Sequence, residues 1–112
     1  MIDVKVIEYL NSVMDVPAYG MMPETMSGSF LVVGLLESGF RNQISMATVD
    51  IYCYAESKAE AAELAQKVKQ SMLDMIVLPA ISSAKLGNLT SDVEKKFKLP
   101  RYEVIMNLWY YD

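Results

Sequence analysis

The final stretch of the chain constrains its fold more than any other. Tyr102, Val104, Met106, Leu108 and Tyr110 alternate with Glu103, Ile105, Asn107, Trp109 and Tyr111. A period of two puts these sets on opposite faces of a strand; a helix cannot sort them that way. The first set is apolar or aromatic throughout, so the strand must belong to a sheet with one face on a core. The second set is also aromatic-rich, and Tyr52 and Tyr54 fall on the second face of an earlier strand. Either the first helix covers that face, or it meets a partner, since aromatic residues are enriched where proteins meet.

The elements that complete the sheet can be read upstream. Val6, Ile7, Leu10, Val13 and Met14 make an apolar stripe at helical spacing, with Asp3 near the start and Pro17 forcing an end. This predicts a first helix over about 3–14, with a brief extended piece at Ala18 and Tyr19. Ser29 to Glu37 lacks alternation and reads as a strand covered on both faces. Glu37 to Asn42 supplies turn chemistry. Gln43 to Ala55 reads as a long strand whose apolar phase changes between Met46 and Val49, which predicts a bulge or a sharp twist near Ala47 and Thr48. Ser57 and Glu60 form a capping box ahead of the apolar face Ala61, Leu64, Ala65, Val68, Met72 and Met75, so a second helix should run to about Val77. Glu63 and Lys67 are spaced to pair on its wet side. Ala84 to Ser91 reads as a weaker strand, irregular at Gly87 and Asn88. The expected fold is a single α+β domain over residues 1–112. It has an antiparallel or mixed sheet of about four strands, two helices packed on it, and a long projecting β-hairpin.

Little here supports catalysis. None of the 112 residues is histidine, which removes the commonest general base and metal ligand near neutral pH. The single cysteine, Cys53, sits in mid-strand without a thiol or imidazole partner and reads as buried and structural. One cysteine excludes an internal disulfide and suits a reducing compartment. Phosphate-cradling glycine motifs are absent, and the carboxylates at Asp15, Glu24, Glu37, Asp50 and Glu103 read as solvated. No metal, cofactor or catalytic residue is expected. A net charge of −4, with only Lys95, Lys96 and Lys98 clustered, argues against tight phosphate binding. The longest apolar run, Phe30 to Leu36, is too short to span a bilayer, so no membrane contact is expected. Met21, Met22 and Met26 lie in the irregular segment 16–28. They either fold back over the core or give an adaptable surface to a partner.

Read in order, several stretches resemble the tail-completion and tail-terminator proteins of long-tailed bacteriophages and prophages. The first helix leads into Val16-Pro17-Ala18-Tyr19, and Pro23 precedes the apolar strand Phe30–Leu35. A hairpin tip follows, then Val49–Ala55, the alanine- and glutamate-rich Glu56–Ala65, and Pro100-Arg101-Tyr102 before the aromatic strand. The resemblance implies a non-enzymatic virion subunit, assembled in the bacterial cytoplasm into a homo-oligomeric ring, commonly a hexamer. Such a ring ends the tail tube and meets the head. Its partners would be copies of itself, a tail-tube protein and a head–tail connector protein, with DNA passing through the channel unbound. A neighbouring connector role fits the same residues. The expected subunit contacts are Phe40 and Arg41 at the hairpin tip, and Tyr52, Tyr54, Ile105, Trp109 and Tyr111 on the second face. A small-ligand-binding or regulatory α+β domain, with its methionines and tyrosines lining a pocket, is the alternative.

Overall fold

In the computed structural model, described over residues 2–25, 28–96 and 98–111, the chain forms an α+β fold around one mixed sheet. Helix α1 spans Ile2–Val13, β1 Ala18–Tyr19, β2 Phe30–Arg41 and β3 Ile44–Tyr54; α2 spans Lys58–Leu73, β4 Ile81–Val93 and β5 Pro100–Tyr110. The strand order is β1-β2-β3-β5-β4, with β1 parallel to β2 and the other pairs antiparallel. There are thus five strands and not four. The additional one, β1, is two residues long, too short to leave a periodic signal. The Asn11 side chain holds it in place by accepting from the Ala18 N–H (3.0 Å) and donating to the Ala18 carbonyl (3.1 Å).

Both helices pack on the same face of the sheet. Ile2, Val6 and Leu10 of α1 join Ala65, Val68 and Met72 of α2 over Leu31, Val49, Ile51, Val104, Met106 and Leu108. The Tyr9 hydroxyl donates to the Ser71 carbonyl at 2.6 Å and ties the helices side by side. Burying this apolar layer drives folding, at roughly 25 cal/mol for each Å² taken from water. Ser57 caps α2 as its sequence requires, its hydroxyl accepting from the Glu60 N–H at 3.2 Å. The α-helix stops at Leu73, earlier than the apolar periodicity implied, and a 3-10 turn over Asp74–Val77 continues the path while still burying Met75. Glu63 and Lys67 both remain exposed, while an ion pair joins Arg101 and Asp92.

The hairpin departs from expectation in two ways. Glu37 to Arg41 continues β2, and the turn is Asn42-Gln43, with φ of 53° and 67°. Two residues at positive φ make the turn whose twist matches that of the flanking strands. The bulge is in β2, where Leu36 is skipped between the pairs Leu35–Val49 and Glu37–Thr48. β3 itself pairs with β5 without interruption from Ser45 to Tyr54. Its apolar phase change arises because Ser45 and Ala47 occupy the helix side, leaving Ile44 and Met46 on the other. β2 is covered on both faces only at its start; from Leu36 onward it is exposed. β4 is longer than expected, and its ladder is irregular between Leu86 and Asn88, at Gly87. The molecule measures 42 × 24 × 24 Å, its length set by these strands.

Candidate functional site

With both helices on one side, the opposite face of the sheet carries no helix among the described residues. Its rows follow from the ladder. Phe30 lies beside Tyr54 and Arg101; Val32 beside Tyr52 and Glu103; Gly34 beside Asp50 and Ile105; Glu37 beside Thr48 and Asn107; Gly39 beside Met46 and Trp109.

At one end the face is knit together around Arg101. Its guanidinium donates twice to Asp92 Oδ2 (3.0 and 2.6 Å) and once to the Tyr54 hydroxyl (2.9 Å). It also lies over the Tyr52 ring at 4.1 Å. Burial works against its charge, but the bonds to Asp92 and Tyr54 prevail and keep it protonated. The bond from Arg101, with another from the Val93 N–H, holds the Asp92 carboxyl below its ordinary range. Tyr54 stacks on Phe30 at 4.7 Å, and Tyr19 meets Phe30 edge-on, which closes this end as a small second core.

Next to it lies a pair of carboxyl groups. Asp50 is only 5% exposed, and its carboxyl rests over Gly34, where a Cβ would come 2.4 Å from Oδ1. Burial raises the Glu103 carboxyl, helped by its hydrogen bond to Asp50 and by that group's charge. Glu103 therefore holds its proton more readily than a free glutamate does. Tyr52 is pushed up to about 12, first by burial and then by Glu103.

The other end of the face is open. Trp109 lies opposite Met46, the Lys85 ammonium sits 5.6 Å from the Trp109 ring, and Thr48 donates to Asn107 at 2.8 Å. The small hollow between Glu37, Gly39, Met46 and Trp109 has a volume of about 60 Å³.

The expected contact residues therefore lie in different settings. Phe40 is 69% exposed and Arg41 is also exposed at the hairpin end; Tyr111 is 51% exposed just past β5. Tyr52, Ile105 and Trp109 are half-buried on the uncovered face, whereas Tyr54 is buried within the subunit under Arg101 and Phe30. Met21 is exposed and Met22 half-buried; Met26 lies outside the described residues. Sequence reading missed Arg101, Asp50 and Glu103 as a linked group. The alternation at 102–110 already put Glu103 on this face, but its partner Asp50 comes from β3, far away in sequence.

The Cys53 thiol is fully buried and pushed up to about 12 by that burial. Among the described residues no cluster of three or more metal-binding side chains occurs. The carboxyl pair sits on the sheet face opposite the helices. Two broader grooves flank α1, one against residues 78–81 and one against Lys67 to Ser71; neither is lined by Met21, Met22, Tyr52 or Tyr54.

No family model matches the chain, and no curated protein does. Among solved structures it is similar to a chain from the "Virion of native gene transfer agent (GTA) particle". The TM-score is 0.67 at 10% identity, over 97% of this chain and 91% of the other. At that identity the two share a fold.

Proposed function

We propose that this chain is a non-enzymatic structural subunit of a phage-derived virion, forming a ring that ends the tail tube and joins tail to head. The observation that carries the reading is the near-complete overlap of its fold with a virion chain. The surface agrees with it. A subunit in a closed ring needs two unlike surfaces, because each copy meets a different side of the next. This molecule offers an exposed hairpin end bearing Phe40 and Arg41, and a helix-free face bearing Tyr52, Ile105, Trp109 and, at its rim, Tyr111. Met21, exposed, and Met22, half-buried, supply an adaptable contact on the segment after β1.

The assembly is a hexamer in the virion tail, built in the host cytoplasm, with a tail-tube protein on one side and a head–tail connector protein on the other. DNA passes through without specific binding, which suits a subunit of net charge −4 that repels phosphate.

The test is the assembly state of the purified protein, alone and mixed with the tail-tube protein of the same genome, by light scattering and negative-stain imaging. A discrete ring that Phe40→Ala or Trp109→Ala weakens supports the reading. A monomer at every concentration, with and without tail tubes, refutes it.

A further inference from the structure

The sheet ends in two long bare edges. Among the described residues, β1 covers β2 only at Leu31 and Val32, leaving the outer side of 33–41 without a strand, and β4 pairs only with β5, leaving the outer side of Ile81–Val93 open. Each edge displays backbone donors and acceptors that another strand could take up. β2 runs against β3, β3 against β5 and β5 against β4, so β2 and β4 point in opposite directions. Copies related by rotation about an axis along the strands would therefore bring β2 and β4 together antiparallel.

We infer that copies of this chain join edge to edge, β2 of one pairing with β4 of the next, in the register that sets Glu37 opposite the next copy's Lys85. Three features of the ladder select that register. Within one subunit a single row runs Glu37, Thr48, Asn107, Lys85, so both residues lie at the same height. Pairing them carries the row into the neighbour without a climb, which favours a closed ring over a filament. Secondly, both edges are irregular at this height: Leu36 is skipped in β2, and the β4 ladder shifts between Leu86 and Asn88. A bulge on one edge alone would interrupt a new ladder, whereas two at one level can bow together. Thirdly, the side chains match. Leu36, 55% exposed, faces Leu86, 40% exposed, and the carboxylate of Glu37 meets the ammonium of Lys85. A slip of one residue would part Glu37 from Lys85 and set it against Ala84 or Leu86.

This inference rests on the ring reading, and the test separates the two. In a Glu37→Cys, Lys85→Cys chain the new thiols lie on opposite edges with β3 and β5 between them. That is three strand spacings of about 4.8 Å, too far for a bond within one copy. Cys53 is buried and stays out of the exchange. Mild oxidation should give a denaturant-resistant ladder of covalent multimers, which the Glu37→Cys, Ala84→Cys chain forms at less than a tenth of the yield. Glu37→Lys should weaken association about five-fold, since a cross-strand charge pair is worth up to about 1 kcal/mol, and adding Lys85→Glu should restore it. Rings that form without the ladder and without charge-swap rescue overturn the edge register and leave the ring reading standing. A chain that never assembles overturns both.

Discussion

Replacing Gly34 with alanine tests how the carboxyl pair is built. The added Cβ would lie 2.4 Å from Asp50 Oδ1, so that carboxyl has to swing aside. Asp50 is 5% exposed and hydrogen-bonded to Glu103, so moving it sacrifices a buried polar contact worth about 1–3 kcal/mol. Gly34 is not among the residues at positive φ, so alanine brings no backbone strain there. It should instead recover about 0.5–1 kcal/mol by restricting the unfolded chain. The net expectation is a loss of about 1–2 kcal/mol, or a fall in Tm of about 4–8 °C for a domain of this size. Urea unfolding at neutral pH measures it directly. The discriminating comparison is the same change in an Asp50→Ala background, where no carboxyl overhangs Gly34. There the substitution should turn stabilising by about 0.5–1 kcal/mol. An equal loss in both backgrounds would refute the argument, because the clash would then lie elsewhere.

The pH dependence of stability should carry the mark of Glu103. Its carboxyl is raised in the folded chain, so the native state binds the extra proton. The contribution is full below the ordinary glutamate range and is lost as pH rises through the raised value. Glu103→Gln should flatten this decline in urea midpoints measured from acid to neutral pH. Arg101→Lys keeps the charge but loses the fork to Asp92, the bond to Tyr54 and the stack on Tyr52; a loss of about 2 kcal/mol is expected by denaturant unfolding. Gln43→Gly removes a side chain from a position at φ 67° and should raise stability by about 1 kcal/mol in a thermal melt.

Legibility in the sequence followed the range of the interactions. The capping box at Ser57 and Glu60, the α2 stripe and the alternation at 102–110 are each fixed by neighbours a few residues apart, and each reappears in the structure. The hairpin turn was misplaced because Gly39 looks like a turn residue, while the ladder continues past it to Arg41 and leaves Asn42-Gln43 to make the turn. The apolar phase change in β3 points to a bulge or a sharp twist in that strand. The bulge belongs to β2, because β3 is held in phase on its other side by β5.

From the amino-acid sequence alone come the order of elements, the helix faces, the lack of histidine and thiol chemistry, and an aromatic surplus on the second face of the last strand. Local periodicity and composition suffice for those. Tertiary structure decided that α1 shares a face with α2, tied by Tyr9 to Ser71, and so leaves the second face without a helix. It also decided that Tyr54 turns inward beneath Arg101, and that Asp50 meets Glu103 over a glycine. These pairings join residues roughly fifty positions apart in the chain. Only the lateral order of the strands brings them together, and periodicity along one strand carries no information about which strand lies beside it.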